Sequence, residues 1–194
     1  MVFFYRGTAL SEFYLHHRLS EDLDFFSETE FDHQIVDAFI QKIAQKMQAR
    51  PQKKSILGHA IFTLYFKDSD FLKIDFVHQP FQRIEHGKKY NNLPIASLWD
   101  IAVDKLYTIF HRVKARDFID LYFAIQEIDC SLEQLIAAMQ EKYHIDFDEA
   151  SLLARLPVVQ DLTDFPTMIV PFDKKAMEEF YLKLTKSLEG KIFK

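Results

Sequence analysis

Apolar and polar residues alternate in short runs through the first half of the chain, and recur every three to four residues through the second. Val2 to Tyr5 is a short β-favouring run, and Asp22 to Ser27 is another. Between them Gly7-Thr8 breaks the pattern, and Ala9 to His17 reads as a helix with Thr8 as its N-cap. A longer helix is expected over Asp32 to Gln48, with Ile35, Phe39, Ile43 and Met47 forming its apolar row. Ser55 to Lys67 and Phe71 to His78 predict two strands joined by a turn at Asp68-Ser69-Asp70. Shorter strands are expected near Arg83-Ile84-Glu85 and Leu93-Pro94-Ile95.

After that the period is helical. Ser97 caps a helix reaching Val113, followed by helices over Asp117 to Ile128, Ser131 to Tyr143 and Asp146 to Leu156, the last ended by Pro157. The segment around Pro166 and Pro171 is irregular, and Asp173 caps a final helix to about Leu188. The order predicts an α/β fold: a mixed β-sheet core with flanking helices over residues 1–96, then a helical region over 97–194 that packs on it.

Composition narrows the function. At 194 residues the chain is long enough for a substantial core, and 48% hydrophobic against 27% charged residues excludes a disordered chain. A net charge of -5 argues against nonspecific coating of nucleic acid, while leaving room for a local basic groove. The 4 Gly are far apart, so neither GxGxxG nor a Walker A loop exists. One Cys excludes a disulfide framework, and no two His have the helical spacing of a zinc protease. No Ser or Cys stands in a nucleophile elbow. No stretch is apolar enough to span a bilayer, and Met1 to Arg6 lacks the basic lead of a signal peptide, so a cytoplasmic protein without a membrane partner is expected.

The candidate chemistry lies in carboxylates. On a strand, Asp22 and Asp24 of Ser20-Glu21-Asp22-Leu23-Asp24-Phe25-Phe26 project from one face, with Leu23 and Phe25 on the other. Two adjacent carboxylates resist joint ionisation unless a cation sits between them, and hard oxygen ligands suit Mg²⁺. Lys73-Ile74-Asp75-Phe76-Val77 supplies a third acid, Asp75, which would complete a metal-holding set against a triphosphate. Acids on a solvated strand face are the plainer alternative. Gly7-Thr8 opening a helix suits phosphate, or is an ordinary strand-to-helix turn. Lys105 lies in the apolar stripe of its helix, where it either reaches phosphates or pairs with a structural Asp. In Arg112 to Tyr122, Asp117 and Asp120 share a helix face, and a structural role is favoured for Asp120. The Lys-rich end from Lys174 to Lys194 reads as a solvated helix face, with contact to RNA as the alternative.

Taken in order, Gly7-Thr8-Ala9-Leu10, then His17-Arg18-Leu19-Ser20-Glu21-Asp22-Leu23-Asp24-Phe25-Phe26, then Lys73-Ile74-Asp75-Phe76, then Asp100-Ile101-Ala102-Val103-Asp104-Lys105-Leu106 and Arg112 to Tyr122, the chain resembles the AbiEii/AbiGii toxin family of nucleotidyltransferases over roughly residues 5 to 125. The resemblance implies a polymerase β-like nucleotidyltransferase fold and Mg²⁺ held by Asp22, Asp24 and Asp75, which are also the catalytic candidates. It implies an NTP whose phosphates meet Gly7, Thr8 and Lys105, with Arg18 and Ser20 as further nucleotide contacts. It implies transfer of a nucleoside monophosphate to an acceptor hydroxyl, with tRNA or another RNA as acceptor and a cognate antitoxin as partner. Two departures stand out. Arg6-Gly7 replaces the family's Gly-Gly, so a side chain either blocks the approach of phosphate or supplies a cation. The chain also begins almost at its first strand, where family members carry a preceding helix. A member of the same fold that binds nucleotide or antitoxin without catalysis, and an enzyme that transfers phosphoryl groups to protein, are the competing expectations.

Overall fold

The structure is a computed structural model that describes residues 2–56, 58–146 and 149–192. It divides into two compact units. The first holds the chain up to Ala9, then Ser20–Gln82 and His86–Ala96; the second holds Leu10–Leu19, Arg83–Glu85 and the chain from Ser97 onward.

The first unit is a seven-stranded mixed sheet. Its strands are β1 (Val2–Tyr5), β2 (Asp22–Ser27), β3 (Arg50–Ile56), β4 (His59–Tyr65), β5 (Phe71–His78), β6 (His86–Tyr90) and β7 (Leu93–Ala96), in the order β3-β4-β5-β2-β1-β7-β6. β2 runs parallel to β5, and β1 parallel to β7; the other pairs are antiparallel. Strand alternation puts Ala60, Phe62, Leu64, Ile74 and Phe76 on one face, where the helix α2 (His33–Met47) covers them with Val36, Ile40 and Ala44. Asp32 caps α2 by accepting from the Gln34 and Ile35 amides.

The sheet corrects three sequence expectations. The inward row of α2 is Val36, Ile40 and Ala44, while Ile35, Phe39 and Met47 are exposed. The four-residue period is right and its phase is one residue off; of the expected row, Ile43 packs against the buried cluster, only partly buried. The strand expected over Ser55 to Lys67 is a hairpin, β3 turning into β4 around Gly58, whose φ is +68°. Arg83 to Glu85 is not a strand: the Ile84 and Glu85 amides donate to the Asp100 carboxylate at 2.9 and 3.1 Å.

The second unit is helical: α3 (Leu98–His111), α4 (Ala115–Ile128), α5 (Leu132–Tyr143), α6 (Glu149–Arg155), a 3₁₀ turn over Leu156–Asp161 and α7 (Lys174–Ile192). Ser97 caps α3, Ser131 and Gln134 form a reciprocal capping box on α5, and Asp173 accepts from the first amides of α7. The expected helix start at Asp146 runs into residues 147 and 148, which lie outside the described residues. Ile101, Leu106, Ile109, Phe118, Leu121 and Tyr181 are fully buried among these helices. The Tyr181 hydroxyl donates to the Phe118 carbonyl at 2.7 Å, and burial holds it well above the ordinary tyrosine range. Among the described residues no helix is long and apolar enough to cross a membrane.

Candidate active site

The site is built by strand register. β2 and β5 run side by side with Asp24 opposite Asp75 and Asp22 opposite Lys73, so all four side chains share the sheet face turned away from α2. Asp24 and Asp75 are both nearly enclosed, at 9% and 4% exposure. Burial raises the Asp24 carboxyl above the ordinary range; Arg6 opposes this, and the neighbouring Asp75 and Asp22 charges reinforce it. Lys73 Nζ lies 2.7 Å from one Asp75 oxygen, and His59 Nε2 lies 3.5 Å from the same oxygen. The other Asp75 oxygen, Oδ1, is buried and accepts no hydrogen bond.

Cations therefore already face this acid pair. Arg6 stands 3.9 Å from Asp24 and lays its guanidinium over the Phe26 ring, 4.6 Å from the centroid. Its φ is +60°, the left-handed region that glycine enters freely. Here an arginine accepts the conformation and brings a charge to the carboxylates.

Arg6 also begins the short helix α1 (Arg6–Leu10), which continues as a π-helical turn over Ser11–Leu15. The helix starts at Arg6 and not after Thr8, so Thr8 is no N-cap. It lies within the first turn, where its hydroxyl donates to the Asp22 carbonyl and shares a 2.7 Å hydrogen bond with the Ser20 hydroxyl. Thr8 and Ser20 together tie the helix start to the strand bearing Asp22 and Asp24. Gly7 is buried in the same turn.

Arg18 and Lys105 belong to the second unit, and both meet buried carboxylates. Lys105 Nζ lies 2.8 Å from Asp117 and 2.6 Å from Asp120. Arg18 grips Asp120 through Nε at 2.6 Å and Nη2 at 2.8 Å, and His17 Nε2 meets the same carboxylate at 2.9 Å. Arg112 closes the cluster on Asp117 at 2.8 and 3.2 Å. Burial alone would raise both acids, yet Lys105, helped by the Arg18 and His17 hydrogen bonds on Asp120 and by Arg112 on Asp117, holds each below the ordinary carboxylate range. Of the two readings of Lys105 open in the sequence, this unit supplies the structural partners.

The structure adds His59 and Lys142 to the sequence candidates, and gives Asp100 of the quoted motif its partners. His59 stands beside Asp75, with only its place at the start of a strand to signal it. Asp100 and Lys142 form a second buried hub. Asp100 accepts from Ser97 Oγ, the Ile84 and Glu85 amides and Lys142 Nζ at 2.8 Å, and Lys142 also reaches Asp104 at 2.7 Å. The Asp100-Ile101-Ala102 motif is thus anchored by its structural bonds.

Among the described residues no three His, Cys, Asp or Glu side chains form a ready metal cage. The donor chemistry of the Asp24–Asp75 pair nonetheless fits a divalent cation: hard oxygens, one of them buried without a hydrogen bond, on acids of which one is raised by burial.

Comparison with known proteins bears on the family and the fold. An uncharacterized protein of Aquifex aeolicus is 31% identical over 185 residues, covering 90% of this chain and 85% of its own. Two crystal structures from Helicobacter pylori share the fold. JHP933 has a TM-score of 0.58 at 17% identity, covering 99% of this chain and 87% of that one. A protein described as a proposed nucleotidyltransferase has a TM-score of 0.58 at 16% identity, covering 98% and 87%. The profile of the AbiEii nucleotidyl transferase toxins of type IV toxin–antitoxin systems matches residues 3–183, and the chain belongs to that family.

Proposed function

We propose that the protein is a metal-dependent nucleotidyltransferase that moves a nucleoside monophosphate from an NTP to an acceptor hydroxyl, with RNA, tRNA included, as acceptor. The observation that carries this reading is the register of Asp24 against Asp75 on parallel neighbouring strands, with Asp22 two residues along on the same face. Asp22, Asp24 and Asp75 would hold the cation. Bound there, Mg²⁺ would neutralise charge on the triphosphate as the bond breaks. The acceptor oxygen forms a bond to the α-phosphorus, the bond from that phosphorus to the bridging oxygen breaks, and pyrophosphate leaves. Asp75, whose Oδ1 has no hydrogen-bond donor, takes the hydroxyl proton. Gly7 and Thr8 face the phosphates, and Ser20 fixes Thr8 against β2. Arg18 and Lys105 are the remaining nucleotide-contact candidates; within the second unit Lys105 holds Asp117 and Asp120, and Arg18 holds Asp120. The family context supports a toxin role with an antitoxin partner, acting in the cytoplasm.

The experiment is titration of Mg²⁺-NTP into wild type and Asp22→Ala, then incubation with α-labelled NTPs and total tRNA. Label on RNA with wild type, and none with the variant, is the expected result. An Asp22→Ala protein that labels RNA at the wild-type rate would sink the assignment. A second reading, binding without catalysis, draws on Arg6 and Lys73, whose cations already balance the acid pair. It predicts NTP binding by wild type with no labelled product. Label from γ-labelled but not α-labelled NTP would instead mark phosphoryl transfer.

A further inference from the structure

The face of β3, β4 and β5 opposite α2 carries a row of groups that the metal chemistry does not use. Strand register defines it. Arg50 pairs with Tyr65 and Tyr65 with Phe71; Lys54 pairs with Ile61, Ile61 with Asp75, and Asp75 with Asp24. Two tracks on one face therefore lead to the acid pair. Along β5, Phe71, Lys73 and Asp75 follow at two-residue steps, so Phe71 lies about 13 Å from Asp75. Across the strands, Lys54 lies two strands from Asp75, about 10 Å away.

The far end is aromatic and basic. Phe71 is 61% exposed and Tyr65 37%, with ring centroids 6.5 Å apart, and the Arg50 guanidinium lies 5.6 Å over the Tyr65 ring. Lys54 is exposed and Lys73 half-buried on the same face. The acids nearby are Asp75 itself, Asp24 and Asp22 in the site, and the exposed Asp68 and Asp70 in the turn before Phe71. Exposed rings on an open sheet face are costly to leave in water, and rings flanked by cations suit stacked bases with a phosphate backbone beside them. Arg50 and Lys54 put cations on this face of a chain whose net charge is -5, and Lys73 on the same face is already paired with Asp75.

We propose that this face seats the acceptor as a single-stranded nucleic acid, its bases stacked on Phe71 and Tyr65 and its phosphates beside Arg50 and Lys54, with the terminal hydroxyl delivered along β5 to Asp75. The proposal rests on the nucleotidyltransferase reading for its direction, but its binding test does not require turnover.

The probes are 5′-fluorescein oligouridylate and oligothymidylate of about 12 nucleotides and an RNA duplex of equal length, read by fluorescence anisotropy at low and moderate salt. Wild type is expected to bind both single strands more tightly than the duplex, with affinity falling as salt rises. Phe71→Ala combined with Tyr65→Ala is expected to weaken single-strand binding about tenfold or more. Lys54→Glu combined with Arg50→Glu is expected to weaken it similarly and to flatten the salt dependence. Asp24→Asn, which removes the acid-pair chemistry, is expected to bind the strands at least as tightly as wild type. All four platform positions are exposed, and circular dichroism checks that the variants fold. Wild type that binds none of the probes, equal affinity for duplex and single strand, or variants that bind like wild type would each overturn the proposal. Mg²⁺-NTP titration of the same preparations reads the active-site assignment separately. RNA binding with a strong preference over the DNA oligomer would place the selectivity in contacts to the 2′-hydroxyl.

Discussion

Asp24 and Asp75 stand opposite one another on parallel strands, two enclosed carboxylates with Arg6 on one and Lys73 on the other. Such a pair is strained in the absence of metal, since burial already pushes Asp24 upward and Asp75 adds to it. Asp24→Asn is therefore expected to raise the melting temperature of metal-free protein by a few degrees, at about 2–4 °C per kcal/mol for a chain of this size. The same variant is expected to lose nucleotide transfer and any stabilisation by added Mg²⁺. Differential scanning fluorimetry with and without Mg²⁺ checks both, and a lower melting temperature in the metal-free variant would contradict the account.

Arg6→Gly restores the residue that the left-handed backbone favours and removes the cation over Asp24. Relief of the backbone is worth about 1 kcal/mol, against which stands the lost ring contact with Phe26. Stability is expected to change little, and Mg²⁺ affinity, read by calorimetry, to rise severalfold. Unchanged affinity would mean that Arg6 does not compete for the carboxylates.

Lys105 and Asp120 pose a different test. Removing one partner from a buried ion cluster leaves the other charge uncompensated, at a cost of about 3–5 kcal/mol. Lys105→Met and Asp120→Asn are each expected to lose stability on that scale in urea unfolding. If Lys105 also serves the nucleotide, Lys105→Met measured below its melting temperature binds Mg²⁺-NTP less tightly than Asp120→Asn does. Equal affinities would confine the lysine to the cluster.

The cluster also fixes a pH dependence. Asp117 and Asp120 are held below their unfolded values, so their contribution is fully present above the ordinary carboxylate pKa of about 3.9. It declines as pH falls through the depressed folded values. Between about pH 5 and 8 these two acids should add no slope to stability, and below about pH 4 stability should fall steeply. Chemical denaturation across that range measures it, and Asp120→Asn should show a shallower acid limb than wild type.

What could be read from the sequence follows from how local each signal is. The strands Val2–Tyr5, Asp22–Ser27 and Phe71–His78, the caps Ser97, Ser131 and Asp173, and the shared face of Asp22 and Asp24 depend on neighbours within a few residues. The register that sets Asp75 against Asp24 is a pairing between distant segments, and the sequence supplied only the two candidates. The first part of β3 is not predicted, because Arg50-Pro51-Gln52-Lys53-Lys54 carries neither alternation nor β-favouring residues; its partner β4 imposes the strand. The pattern predicts Thr8 as an N-cap, whereas the turn is made one residue before Gly7, by an arginine in a conformation that sequence patterns assign to glycine. The sequence leaves Lys105 between a phosphate and a structural Asp; the structure adds Asp117 and Asp120 as buried partners, which nothing in the spacing of Lys105 could name.

The place of β3 at the margin of the sheet bears on handling the protein. Among the described strands it pairs only with β4, so one row of its peptide groups has no strand beside it. Pro51, which lacks an N–H, and the charges of Arg50, Lys53 and Lys54 are the features that keep such a margin from joining another copy edge to edge. Alanine at these basic positions would strip that protection, inviting slow self-association that light scattering would detect. Charge reversal keeps the margin guarded while changing its sign, so Lys54→Glu and Arg50→Glu are the variants whose solution behaviour stays interpretable.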